Sequence, residues 1–230
     1  AVKVIFTGTD PVSGIDDCTP EQTVTIEGGS QTVTGSCMDI AGNVAYATTT
    51  VSVDLTKPEV SAAMSPLPNE TGWHNGPVEI AFTGIDGISG INYCSPQKII
   101  TIEGSSIAVS GYCLDNAGNS STVTVTVSID TATPRLTYTA LPPANTFGWN
   151  SSDVNLRFTC EDNLSGIKVC PADIVLPGEG AAISTSAAAY DYAGNIGLAE
   201  VAGIKIDKTT PTTRAELAGT LESDWYNTPV

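Results

Sequence analysis

The chain repeats itself at a spacing of 76 residues, and no other feature limits its possible folds as strongly. The segment VIFTGTDPVSGIDDC recurs as IAFTGIDGISGINYC and LRFTCEDNLSGIKVC, at 4–18, 80–94 and 156–170. A five-residue pattern, Asp-x-Ala-Gly-Asn, recurs at 39–43, 115–119 and 191–195. Repetition at this length predicts an array of similar structural units, each built from the same elements.

Each unit consists of short stretches that alternate apolar and polar residues and are separated by turn signals. In STVTVTVSID the valines face one side and the threonines the other, which is typical of a strand with one exposed face. After an edge strand within 58–73, the second unit predicts strands at 78–85, 91–95, 98–104, 107–115 and 121–130. Six or seven short strands per unit, in a chain rich in Thr, Val, Ile and Ser, predict an all-β fold of β-sandwiches.

Proline-containing linkers divide the chain into domains. VDLTKP, IDTATP and IDKTTP close successive units, since proline ends a strand ladder and stiffens the join. The predicted domains are a sandwich lacking its first strand, two complete sandwiches, and the opening strand of a next domain, at 1–57, 58–133, 134–210 and 211–230.

The two ends of the sequence are out of phase with these domains, and two interpretations follow. The sequence is a window onto a longer polypeptide, or segment 211–230 of one chain completes domain 1–57 of the next by donor-strand complementation. Both interpretations predict that neighbouring repeats or copies associate head to tail.

The combination of FTGIDGISGI, DNAGN and IDTATP in one unit resembles the bacterial immunoglobulin-like repeats of large secreted and surface proteins. The resemblance covers essentially the whole chain. It implies tandem immunoglobulin-like β-sandwich domains in an elongated array, serving an extracellular fibre or cell-surface stalk. The alternative function is an adhesin module that recognises a glycan or a protein receptor through loops at a domain end.

Six cysteines and a single histidine indicate disulfides rather than a zinc site, and therefore an extracellular or cell-surface location. Equivalent positions in the first two units predict the pairs Cys18–Cys37 and Cys94–Cys113. The third unit has Ala189 where the second cysteine is due and an extra cysteine where the others have glycine, which predicts Cys160–Cys170.

The charge and the apolar pattern exclude several functions. A formal net charge of −16 repels nucleic acid and anionic lipid, so neither is an expected partner. No apolar run approaches the roughly 20 residues that span a bilayer, so no membrane insertion is expected in this segment. His74 has no counterpart in the other units, so no histidine-based catalytic site recurs and no enzyme activity is expected.

Four sets of carboxylates recur with the repeat, and calcium is the one cofactor for which they suggest ligands. A linker aspartate and loop aspartates of an adjoining domain end offer the several hard oxygens that calcium needs. The candidate ligands are Asp39, Asp54, Asp115, Asp130, Asp191 and Asp207. The alternative, favoured for the Asp-x-Ala-Gly-Asn segments, is that each aspartate bonds the backbone of its own turn. The other two sets are Asp10, Asp86 and Asp162, and Glu27, Glu103 and Glu179.

Three tryptophans keep the same period, in the segments GWHN, GWNS and DWYN. Such a residue covers the end of a core or packs at a domain joint, and an exposed one can instead stack on a sugar ring. The residues concerned are Trp73, Trp149 and Trp225.

Overall fold

The computed structural model describes residues 1–216 and the backbone of 221–222 and 225–226. Every regular element in this part of the chain is a β-strand, which confirms the all-β fold. The chain divides into two compact units, residues 1–132 with 192–194, and the remainder. We call residues 1–57, 58–133 and 134–210 the first, second and third repeats. Because the first compact unit contains two repeats, the domain boundaries remain predictions.

The first repeat holds five strands in two antiparallel sheets. They are β1 (Val2–Val4), β2 (Ile15–Cys18), β3 (Gln22–Val24), β4 (Gly28–Asp39) and β5 (Val44–Val53). β1 pairs with β3 in one sheet, and the other sheet has the order β2-β4-β5.

The second repeat is a two-sheet sandwich. Its strands are β6 (Glu59–Ser65), β7 (Val78–Ile85), β8 (Ile91–Cys94), β9 (Lys98–Ile100), β10 (Gly104–Asp115) and β11 (Ser120–Ile129). One sheet has the order β6-β7-β9 and the other β8-β10-β11. Alternate residues of β7 meet alternate residues of β10 and β11 in the core, which contains Val78, Ile80, Phe82, Val109, Val127 and Ile129. The burial of each such side chain contributes about 1.5–3 kcal/mol to the free energy of folding.

The third repeat has the same plan, with one more strand in its second sheet. Its strands are β12 (Arg135–Leu141), β13 (Trp149–Asn150), β14 (Val154–Glu161), β15 (Ile167–Val169), β16 (Ile174–Leu176), β17 (Gly180–Asp191) and β18 (Ile196–Ile206). The sheet orders are β12-β14-β16 and β13-β18-β17-β15.

Segment 211–230 contains a further short hairpin, in which β19 (Leu221–Glu222) pairs with β20 (Trp225–Tyr226). Half of the segment that the sequence predicts as an opening strand lies outside the described residues, so that prediction stays untested.

The first repeat has an open groove where the second has an edge strand. Among the described residues of the first repeat, no strand corresponds to β6. In β11 the valines at 123, 125 and 127 are partly or fully buried, whereas residues 44–50 of the equivalent strand β5 are all exposed. A groove of about 520 Å³ lies between β1 and β5 and is lined in part by Val2, Val4 and Phe6.

One strand of the second repeat is shorter than the sequence predicts. The sequence predicts a strand at 98–104, but β9 ends at Ile100, and Gly104 already belongs to β10. A bulge between Gly104 and Ile107, with Ser106 at a φ of +53°, shifts the register at the start of β10. Alternation alone does not reveal such a bulge.

Candidate functional site

The Asp-x-Ala-Gly-Asn segments form the same hairpin corner in every repeat. Asp115 ends β10, and its Oδ1 accepts a hydrogen bond from the backbone N of Asn119 at 2.8 Å. Its Oδ2 accepts one from Asn119 Nδ2, also at 2.8 Å. Gly118 adopts a φ of +94°, which glycine tolerates without strain. The pairs at 39 and 43 and at 191 and 195 make the same two bonds, so each aspartate stabilises its own turn.

In Asp39 and Asp115 the hydrogen bonds of the corner lower the pKa of the carboxylate. Hydrogen bonds from the side chain and backbone of Asn43 hold the pKa of Asp39 below its ordinary value of 3.8, although nearby Asp10 opposes this. Burial raises the pKa of Asp115, but the bonds from Asn119 outweigh it and leave that pKa below 3.8. Each carboxylate therefore stabilises the fold above a pH of about 4, and the contribution is lost as the pH falls through the lowered pKa.

A second carboxylate, Asp86, lies in the loop that follows β7. Its Oδ1 accepts hydrogen bonds from three backbone amides, those of Ile88 at 3.2 Å, Ser89 at 2.9 Å and Gly90 at 2.8 Å. Its Oδ2 is buried and has no hydrogen-bond partner. The loop therefore fixes the carboxylate by one oxygen and leaves the other unsatisfied.

The linker aspartate between the first two repeats reaches both of these loops. Asp54 directly follows β5, and its Oδ1 accepts a bond from the amide of Thr56 at 3.0 Å. Its Oδ2 accepts one from the amide of Ser89 at 3.1 Å, and its backbone oxygen accepts one from Asn119 Nδ2 at 3.3 Å. The linker is thus tied to the second repeat at two points.

Together these three aspartates form a carboxylate cluster, which we call the Asp54 cluster (Asp54, Asp86 and Asp115). One oxygen from each residue lies within 4.8 Å of the others. None of the ion pairs in the described part of the chain involves these residues. The structure therefore places two predicted calcium ligands, Asp54 and Asp115, close to Asp86. The sequence shows that Asp86 recurs with the repeat, but Asp86 was not among the predicted ligands.

The other predicted calcium ligands take part in their own turns. Asp39 bonds Asn43, as described above, and Asp191 bonds Asn195. Asp130 is fully buried and accepts a bond from the amide of Ala132 at 3.0 Å, and Asp207 accepts one from Thr209 at the same distance. Calcium binding by these four residues remains a prediction.

The recurring glutamates have a role that the sequence did not suggest. Glu27 accepts a bond from the amide of Leu55 at 2.6 Å, and Glu103 accepts one from the amide of Thr131 at 3.0 Å. In the third repeat the equivalent glutamate accepts a bond from the amide of Lys208 at 2.7 Å. Each glutamate therefore fastens the start of a linker to the repeat that precedes it.

Each repeat contains one disulfide, with the partners predicted from the sequence: Cys18–Cys37, Cys94–Cys113 and Cys160–Cys170. The structure explains the changed pair in the third repeat. A Cβ placed on Gly84 would lie only 2.8 Å from Cys113 Sγ, so the glycine makes room for the sulfur. In the third repeat Cys160 occupies the position of Gly84, and Ala189 occupies the position of Cys113. The larger of the two side chains therefore stands on β14 and the smaller on β17, the reverse of the second repeat.

Trp73, Trp149 and His74 are each at least partly buried and contact groups of their own repeat. Trp149 is half-buried, and Lys205 Nζ lies 5.8 Å from its ring centroid. Trp73 is half-buried beside a turn, and its amide donates to Asn69 Oδ1 at 3.0 Å. His74 is buried, with ring nitrogens 3.1 Å and 3.2 Å from backbone carbonyl oxygens. The side chain of Trp225 lies outside the described residues.

Comparisons with known proteins leave the family open. No protein-family model and no curated protein matches the chain. A solved structure of fibronectin(III)-like modules of Clostridium thermocellum CbhA matches 69% of this chain and 100% of its own, with 14% identity and a TM-score of 0.32. In the described residues, no helix has the length and apolar character needed to cross a membrane.

Proposed function

We propose that the chain is a structural repeat segment of an extracellular fibre or cell-surface stalk, in which it provides length, spacing and rigidity. The observation that supports this is the structural role of the groups that recur with the repeat. The corner aspartates hold hairpins, the glutamates hold linkers, and each repeat has one disulfide. Disulfides persist outside the reducing cytosol, which supports the extracellular assignment.

The partners that fit this function are neighbouring repeats or copies, joined head to tail. The groove of the first repeat has the position that suits an added strand like β6, and its lining includes the side chains of Val2, Val4 and Phe6. In the second repeat, Ala62 and Met64 of that strand pack against the core. An equivalent strand from an adjoining repeat, in the same chain or in the next, would complete the first repeat.

Small-angle X-ray scattering tests the elongated array. A 12-residue strand such as β10 spans about 40 Å, so three repeats placed end to end measure roughly 110–120 Å. We therefore expect a radius of gyration of roughly 30 Å, against about 17 Å for a globular domain of the same length. A dilution series establishes that the value belongs to the monomer. A radius close to that of the globular domain would contradict the array.

An adhesin module is the second candidate, and Trp149 is the residue that separates the two functions. Because its indole is half-buried beside Lys205, we expect Trp149→Ala to destabilise the third repeat by roughly 1–3 kcal/mol. Urea unfolding measures this, with Trp149→Phe as a control that keeps an aromatic ring. If Trp149→Ala leaves the free energy of unfolding unchanged and abolishes binding on a glycan array, the result supports the adhesin function and contradicts a packing role for Trp149.

A further inference from the structure

The Asp54 cluster has the composition of a site for a hard divalent cation. Its side-chain donors are carboxylate oxygens from a linker, from the loop after β7 and from the end of β10, with no histidine or cysteine among them. Zinc and copper prefer nitrogen or sulfur ligands, whereas calcium binds six to eight oxygens from carboxylates, carbonyls and water. We propose that Asp54, Asp86 and Asp115 hold one calcium ion.

The separation of the three oxygens fits a single ion. Calcium lies 2.3–2.6 Å from its ligands, so two ligands of one ion are at most about 5 Å apart. The three oxygens of the cluster lie within 4.8 Å of one another. Each pair of oxygens is therefore close enough to belong to the coordination shell of one calcium ion.

A second observation, independent of the clustering, also indicates a ligand. Asp86 Oδ2 is buried and accepts no hydrogen bond, whereas Oδ1 of the same group accepts three from backbone amides and one from the Ser89 hydroxyl. A buried carboxylate oxygen without a partner is unfavourable, because it has lost water and gained nothing in return. A bound cation supplies the missing partner, and the three amides on Oδ1 hold the carboxylate in place to receive it.

The charges of the cluster point to the same ligand. Three carboxylates at this separation repel one another, and no lysine or arginine in the described part of the chain forms an ion pair with them. A divalent cation offsets most of that charge. Asp54 belongs to the linker, whereas Asp86 lies in the loop after β7 and Asp115 at the end of β10 in the second repeat, so the ion orders the join between the first two repeats.

Calcium titration of the whole protein by calorimetry, after treatment with a chelator, tests the site. The informative variant is Asp86→Asn, which keeps Oδ1 as the acceptor for the loop and replaces Oδ2 by an amide nitrogen that cannot bind calcium. We expect Asp86→Asn to bind one calcium ion fewer than the parent chain. We also expect calcium to raise the melting temperature of the parent by more than it raises that of the variant.

Asp10→Asn is the matched control. Asp10 caps the equivalent loop of the first repeat through the same amides, but it belongs to no group of three ligands in the described residues. This control is expected to bind as many calcium ions as the parent. If Asp86→Asn does not fold, Asp54→Asn in the linker provides the same comparison. Equal calcium stoichiometry in the parent and the cluster variants, or no calcium binding by the parent, would overturn the proposal. Neither outcome bears on the fibre or stalk function, which does not require the ion.

Discussion

Replacing Cys113 with alanine is expected to lower the free energy of unfolding of the second repeat by about 3 kcal/mol, and adding Gly84→Cys is expected to restore most of it. The bridge from Cys94 to Cys113 closes a loop with a sequence separation of 19, and its loss frees that segment in the unfolded chain. The double variant copies the third repeat, where a cysteine stands at the position of Gly84 and alanine at that of Cys113.

The stereochemistry favours this exchange. With the Cys113 sulfur removed, the atom that lies 2.8 Å from a Cβ at position 84 is absent. The nearest remaining atoms, the Cβ of residue 113 and Ile91 Cδ1, are each 3.1 Å away, so a side chain at position 84 requires a shift of a few tenths of an ångström. In the third repeat the equivalent pair has a Cα–Cα distance of 5.9 Å, within the range that disulfides span.

Mass spectrometry under non-reducing conditions identifies the new bridge, and urea unfolding gives the stability. The control is Gly84→Ala combined with Cys113→Ala, which fills the same space without forming a bridge. If the new bridge forms and the chain is no more stable than this control, the loop-closure explanation is wrong.

Phe82→Ala is expected to destabilise the second repeat by about 3–5 kcal/mol. Phe82 is only 6% exposed and belongs to the core cluster between the two sheets. Its ring lies directly against Gly111, where an added Cβ would be 2.4 Å from the ring, so the glycine cannot fill the space that the ring leaves. The substitution therefore creates a cavity as well as removing buried apolar surface.

Phe147→Ala provides the matched control, because Phe147 is 83% exposed. Its replacement is expected to change the free energy of unfolding by less than about 0.5 kcal/mol. Chemical denaturation followed by circular dichroism compares the two variants with the parent. Similar losses from the two replacements would contradict the assignment of Phe82 to the core.

The sequence predicted the fold well because each repeat supplies the same local signals. Strands β7 and β11 follow from alternation, and comparison of the repeats was enough to pair Cys160 with Cys170. The end of β9 was not predictable in this way. It depends on a bulge and on Glu103 turning towards the linker, and neither has a signature in alternation.

The Asp54 cluster was only partly predictable. Asp54 and Asp115 are candidates because they recur beside linkers and turns. Asp86 recurs equally well, but its loop reads as an ordinary turn in which the aspartate caps backbone amides. Its second oxygen becomes informative only when burial and the absence of a partner are known, and both are properties of the folded chain.

The disulfides also set how much length each repeat can release when the chain is stretched. The residues between Cys94 and Cys113 stay closed after the sheets separate, which withholds roughly 60–70 Å of extended chain. The third repeat withholds only about 35 Å, because its bridge joins residues 10 apart. Moving one cysteine to the facing strand thus leaves the folded repeat similar and lets the third repeat extend further than the first two, whose bridges both join residues 19 apart.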